Sequence, residues 1–277
     1  MNTNHNKVNS NENLIDLDSF TRAIATLRQD SESLQQTYNS GQPYPHLAID
    51  DLFEPAILDR IVAEFPRNQD RDWIVWDSNY ELKTTSRGIA GLSPFTQFFC
   101  LWLNSSEFID ELKKITGIQD LIPDPLFFGA GLHEMYRDGW LDIHADYTKH
   151  PTLPLIRRIN LLIYLNRDWD PSWGGEIELW SETDTEKRVG YTPHFNRTVI
   201  FPTTSETLHG VPKRLSCPPE QSRKLISIYY WSPAPSLIKA GTPIIWSSEQ
   251  SWQKKLRKVL RNIATNISGD KGNGFGL

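Results

Sequence analysis

Three side chains have the types and spacing to hold a metal ion. His144 and Asp146 stand two apart in the stretch Leu141-Asp142-Ile143-His144-Ala145-Asp146. On a β-strand a spacing of two puts both side chains on the same face, so an imidazole nitrogen and a carboxylate oxygen reach one point. His209, in Thr207-Leu208-His209-Gly210-Val211, follows a strand-like run at 198–201 and can close the site from a neighbouring strand. Two histidines and one carboxylate leave coordination positions open. That donor set suits non-haem Fe(II) that must also bind a cosubstrate and O2. The pair by itself is a weak signal, since a sheet histidine beside a turn-forming aspartate has the same spacing. A zinc hydrolase with an aspartate ligand also fits the three residues taken alone.

A fourth residue adds to this set. Arg223 opens the run Arg223-Lys224-Leu225-Ile226-Ser227-Ile228-Tyr229-Tyr230-Trp231. Alternation places Arg223, Leu225, Ser227 and Tyr229 on one face and Lys224, Ile226, Ile228 and Tyr230 on the other. An arginine leading an apolar strand is costly to bury unpaired. Facing a pocket, its planar fork binds a carboxylate through two hydrogen bonds. Lys213, Arg214 and Lys224 are rival cations, but Lys224 points away from the pocket if Arg223 points in.

Helices come first along the chain. Leu17, Phe20, Ile24 and Leu27 recur at helical spacing within residues 14–38. Gly41, Pro43 and Pro45 end that pattern, and residues 46–50 read as a strand. A second helix is expected over 55–65, with Pro55 in its first turn. One or two more are expected over 95–116, ended by Gly117. Short β-rich runs follow at 126–128, 132–136, 159–165, 177–180, 198–201 and 225–231, separated by Gly, Pro and Asp. Helices then strands mean an α+β fold, mainly β, with helices packed on one jelly-roll sheet. In the tail, Leu256, Val259, Leu260 and Ile263 mark one helical face and Lys254, Lys255, Arg257, Lys258 and Arg261 the remainder. This is a basic amphipathic helix.

Composition excludes several classes. The 277 residues are 38% hydrophobic and 11% aromatic, too apolar for a disordered chain. The net charge is −5 and the pI about 5.8, so nucleic acid is not an expected partner. No run approaches the ~18 apolar residues of a membrane span. The polar start MNTNHNKVNSNENL lacks the apolar core of a signal peptide, and two cysteines make no disulfide framework, so a cytoplasmic location is expected.

The joint pattern resembles the iron(II)/2-oxoglutarate-dependent dioxygenases, in particular their prolyl-hydroxylase-like group. It runs in order through Tyr136, His144-x-Asp146, Tyr164-Leu165-Asn166, Trp169, Gly174-Gly175, Phe201-Pro202, His209 and Arg223, and covers about residues 121–233. The resemblance implies a double-stranded β-helix (jelly-roll) core with N-terminal supporting helices, to which the tail pattern adds a C-terminal helix. It implies Fe(II) on His144, Asp146 and His209, and 2-oxoglutarate with its distal carboxylate on Arg223 and a hydrogen bond from Tyr136. Oxidative decarboxylation to succinate and CO2 would then be coupled, with O2, to hydroxylation of an unactivated C–H bond. Ascorbate is a candidate reductant.

The loop from His209 to Arg223, with Pro212, Pro218 and Pro219, is longer than in many members. The division expected is a polar segment with a helix over 1–40, the oxygenase domain over 41–235 and the basic tail over 236–277. A prolyl or other amino-acid side chain, free or in a peptide, is the expected substrate. A small-molecule tailoring oxygenase and a non-catalytic jelly-roll binding module are the alternatives. Leu132, Leu161, Ile163 and Val211 are candidate pocket walls. Arg87, Trp140 and Trp180 are candidate substrate contacts.

Overall fold

The computed structural model describes residues 17–67, 72–183, 188–234 and 244–246. The polar start at 1–13 and the basic helix expected around 254–263 lie outside the described residues.

The helices are α1 (Leu17–Gln29), α2 (Ser31–Ser40), α3 (Pro55–Ala63), α4 (Pro94–Leu103) and α5 (Ser106–Thr116). The single pattern at 14–38 is thus two helices, divided at Asp30, which stands as the N-cap of α2. The run at 95–116 divides likewise. Ser93 and Ser105 accept hydrogen bonds from the Thr96 and Phe108 N–H groups and so start α4 and α5. Gly117 closes α5 in the left-handed conformation.

The strands are β1 (Leu47–Asp50), β2 (Ile74–Asp77), β3 (Glu81–Thr85), β4 (Ile122–Pro123), β5 (Gly131–Met135), β6 (Trp140–Ala145), β7 (Leu155–Tyr164), β8 (Ile177–Trp180), β9 (Arg188–Tyr191), β10 (Arg197–Pro202), β11 (Leu208–Val211), β12 (Arg223–Pro233) and β13 (Ile245–Trp246). One half of the sheet runs β1-β10-β7-β12-β5 and the other β6-β11-β8-β9. Between them lies β3. It pairs with β5 through Thr84 and Thr85, and with β6 through Glu81 and Leu82. The far edges also meet, for His46 on the approach to β1 lies 2.7 Å from the Tyr191 hydroxyl on β9. The result is the expected jelly roll, a double-stranded β-helix. Residues 126–128, expected as a strand, instead form a turn. Phe127 has φ +48°, and the buried Asp124 carboxylate accepts the N–H groups of Leu126 (2.8 Å) and Phe128 (2.7 Å).

Two apolar layers hold this arrangement. Leu161 and Ile163 of β7 and Ile226, Ile228 and Tyr230 of β12 face the helices, packing with Phe99 and Leu103 of α4 and Phe108 and Leu112 of α5. The Tyr230 hydroxyl donates to the Leu103 carbonyl at 2.8 Å and pins α4 to the sheet. The opposite faces of the same strands point into the barrel. No helix among the described residues is long and apolar enough to cross a membrane. Replacing the fully enclosed Ile228 by Ala should cost about 2–5 kcal/mol. Chemical denaturation should show this as a lowered midpoint with an unchanged slope, and a change under ~1 kcal/mol would mean that the helix layer does not carry the stability.

Candidate active site

His144 on β6 and His209 on β11 are direct cross-strand partners. Their rings lie 4.5 Å apart, and one donor atom from each, with one from Asp146, falls within 4.8 Å of the others. Gly210 permits this approach. A Cβ there would stand 2.7 Å from the Asp142 carbonyl and 2.8 Å from the Leu141 carbonyl. Both histidines are oriented through Nδ1. That of His144 is 2.8 Å from the Asp142 carbonyl and that of His209 3.3 Å from the Thr207 carbonyl. Each Nδ1–H therefore donates to the backbone and leaves an Nε2 lone pair for a metal. Trp246 of β13 packs on the His144 ring at 5.0 Å and Phe201 on the His209 ring at 4.8 Å.

Asp146 is held by groups that periodicity did not reveal. Asn160 Nδ2 donates to its Oδ2 at 2.9 Å, and Arg157 Nη2 lies 3.0 Å from the same oxygen. Asn160 Oδ1 accepts from Arg157 at 2.9 and 2.6 Å. The guanidinium lies 3.3 Å from the centre of the Tyr229 ring. Burial alone would raise the Asp146 carboxyl. Arg157, His209 and His144 outweigh it and hold the group well below the usual carboxylate range. Burial pushes His209 down against the pull of Asp146, which favours the neutral imidazole a metal needs.

Arg223 is buried at the same cavity's far end. Its Nε donates to the Gly175 carbonyl at 2.7 Å and its Nη2 to the Tyr164 hydroxyl at 3.0 Å. Gly175, at φ +84°, brings its backbone close to this side chain, since a Cβ there would stand 3.2 Å from Arg223 Cδ. No carboxylate pairs with Arg223 among the described residues. Ser227, four residues on and on the same face, is fully buried, and its hydroxyl has no partner among the described residues. A buried cation without an anion and an orphaned hydroxyl in one cavity are what a bound carboxylate ligand would complete.

The expected inner face of β12 is observed, for Arg223, Leu225, Ser227 and Tyr229 all line the cavity. Lys224 points away, its Nζ on Ser222 and 3.5 Å from Glu134. Val211 lines the cavity as expected, but Leu132, Leu161 and Ile163 face the helices, and Leu162 is the wall residue instead. Tyr136 does not line the cavity. It follows β5 with the parity of Glu134, opposite to His133 and Met135, and its hydroxyl donates to Glu134 Oε2 at 2.7 Å. Tyr164 is the tyrosine that meets Arg223. Arg87 (beside Asp72), Trp140 (under Arg214) and Trp180 (bonded to Glu178) do not line the cavity. Lys83 and His133 do, and periodicity gave no sign of either.

The model of the 2OG-Fe(II) oxygenase superfamily matches residues 130–231, which hold all four of these site residues. This matched segment is a 2OG-Fe(II) oxygenase domain. Solved structures share its fold. A Pseudomonas putida prolyl-4-hydroxylase is 14% identical, with a TM-score of 0.52 over 73% of this chain and 100% of that one. A Trichoplax adhaerens prolyl hydroxylase, in complex with a hypoxia inducible factor peptide fragment, is 13% identical, with a TM-score of 0.56 over 78% and 94%. HygX from Streptomyces hygroscopicus, with nickel, 2-oxoglutarate and hygromycin B bound, is 12% identical, with a TM-score of 0.50 over 79% and 96%. No curated protein sequence matches the chain. The matched segment, with its His-Asp-His group, is that of a 2-oxoglutarate-dependent dioxygenase, with Fe(II) as metal and 2-oxoglutarate as cosubstrate.

Two outcomes follow for this oxygenase. Gly210→Ala should separate β11 from β6 and weaken Mn(II) or Fe(II) binding by about 10-fold or more, read by anaerobic titration. Unchanged affinity would show that the close approach is not needed. His133 is pushed down to about 3, by burial first and then by Lys83. Unfolded, it takes its proton below its ordinary 6.5, while the folded chain takes it only near 3. Its contribution therefore falls as pH drops from 6.5 toward 3. Denaturation midpoints of His133→Asn should decline less over that window than those of the parent chain.

Proposed function

We propose that the oxygenase hydroxylates an unactivated C–H bond of a prolyl or other amino-acid side chain, with Fe(II) on His144, Asp146 and His209. The observation that carries the assignment is the buried, anion-less Arg223 in the cavity of the three metal donors. Arg223 and Tyr164 would orient the distal carboxylate of 2-oxoglutarate, with the Ser227 hydroxyl available nearer the metal. Bound iron supplies O2 activation coupled to oxidative decarboxylation of the cosubstrate to succinate and CO2, and ascorbate would serve as reductant. Asn160 and Arg157 occupy Asp146 Oδ2 and leave Oδ1 to the metal. Leu162, Ile177, Phe201, Val211 and Leu225 line the cavity and keep water from the reacting centre.

The peptide in the Trichoplax adhaerens enzyme supports an amino-acid side chain as target. The hygromycin B in the Streptomyces protein supports the second reading, small-molecule tailoring on the same centre. The working division remains a supporting segment over 1–40, a catalytic unit over 41–235 and a basic tail over 236–277. Trp246 within that tail touches a proposed metal ligand. Two buried free thiols, Cys100 and Cys217, support a reducing, cytoplasmic setting.

Anaerobic addition of Fe(II) and then 2-oxoglutarate should produce the metal-to-ligand charge-transfer absorption of the chelate. His144→Ala should abolish it, and Arg223→Met should need about 10-fold more 2-oxoglutarate or above. Iron binding without the band, or an Arg223→Met titration like that of the parent, would overturn the assignment.

A further inference from the structure

Once the proposed ligands are assigned, and with Glu134 held by Tyr136, Ser222 and Lys224, two polar side chains in the cavity have no task. Arg157 is committed to Asn160, Asp146 and the Tyr229 ring. Arg223 is committed to the cosubstrate. Lys83 and His133 remain, both on the flank of the cavity formed by β3 and β5. Thr85 pairs with His133, and Lys83 lies two residues back on the same face of β3. The Lys83 side chain is 17% exposed and its Nζ lies 2.8 Å from Glu81 Oε2 and 6.0 Å from the centre of the Trp76 ring. An ammonium group has three donors, and no other partner meets Lys83 among the described residues. His133 Nε2 lies 3.1 Å from the Gly129 carbonyl. It therefore donates there and leaves Nδ1 as an acceptor without a partner among the described residues. Burial and the cations around it keep this ring neutral, so it accepts a hydrogen bond at ordinary pH.

The charges agree. Lys83, Arg157 and Arg223 face the cavity, with Asp146 and the Lys83 partner Glu81 against them; Glu134 also lines it but is met by Lys224 at 3.5 Å. A divalent metal and a doubly charged cosubstrate cancel each other, so the loaded cavity keeps a surplus positive charge. A cationic substrate would enter against that field and an anionic one with it.

We propose that the primary substrate carries a carboxylate, which Lys83 binds, beside an N–H or O–H group that donates to His133 Nδ1. Resting on the oxygenase reading above, this adds the substrate's chemical class. It places substrate on the β3–β5 flank of the cavity.

The probe is trifluoroacetate, a small carboxylate visible by 19F NMR. The protein is loaded with Mn(II) in place of iron and with saturating 2-oxoglutarate, and 19F relaxation is followed as trifluoroacetate is added. Saturable enhancement is expected in the parent chain, reduced about tenfold in Lys83→Met and largely restored in Lys83→Arg. No saturable enhancement in the parent, equal enhancement in Lys83→Met, or enhancement that further 2-oxoglutarate abolishes would each overturn the proposal. The last result would place the anion on Arg223 instead. The proton signals of 2-oxoglutarate in the same samples report separately. Their failure to relax near Mn(II) would overturn the oxygenase site itself, while normal relaxation in Lys83→Met shows that the variant is folded.

Discussion

His144 and His209 face each other across an antiparallel pair, and a slip of one residue in that register would turn one imidazole out of the barrel. Several features fix the register. Gly210 lets the backbones close, and the carbonyls of Asp142 and Thr207 orient the two rings. On its other edge β11 pairs with β8, where Leu208, His209 and Gly210 meet Trp180, Leu179 and Glu178. The metal donors are therefore preset by backbone pairing, and only Asp146, just past the end of β6, depends on side chains for its position.

That dependence explains the buried charge beside it. A carboxylate in an enclosed cavity would tend to take up a proton, and a protonated Asp146 is a poor ligand. Arg157 prevents this, and its own burial is offset by Asp146, the Asn160 carbonyl oxygen and the Tyr229 ring. Among the described residues Arg223 has no such anion. The contrast between two buried arginines in one cavity separates a structural cation from one that awaits a ligand.

Strand alternation revealed β12 because its faces differ, with Arg223 and Ser227 on one and Ile226 and Ile228 on the other. It failed on β7, where Leu161, Leu162 and Ile163 are apolar on both faces, one against the helices and one in the barrel. Hence alternation alone puts Leu161 and Ile163 on the wall, where the structure has Leu162. Arg157 was hidden for a different reason. The register skips Arg158 between the pairs Tyr230–Ile159 and Trp231–Arg157, and that bulge turns Arg157 to the same face as Asn160. The polar Asn160 amid apolar neighbours was the one available signal. Tyr136 matched in order along the chain but not in parity, and only pairing with β12 shows which face of β5 looks inward. Lys83 reaches the cavity because β3 bridges the two halves, which is topology rather than local pattern.

The two-layer construction is what lets the inner face be polar. Asn160, Ser227 and Arg223 are buried inside the barrel, and each costs stability until it is paired. The same strands carry Leu161, Ile163, Ile226 and Ile228 on the outer face, where α4 and α5 complete a dry layer. The outward face of β7 and β12 is thus apolar where the helices cover it, while the inward face sets Asn160, Ser227 and Arg223 among Leu162, Tyr164 and Leu225. Substitutions one position apart on these strands therefore differ: outward residues act on the free energy of folding, and the inward polar ones on what the cavity binds. A barrel relying on its interior for stability would have to fill it with apolar side chains, and would have no room for the cations, the metal donors or a substrate.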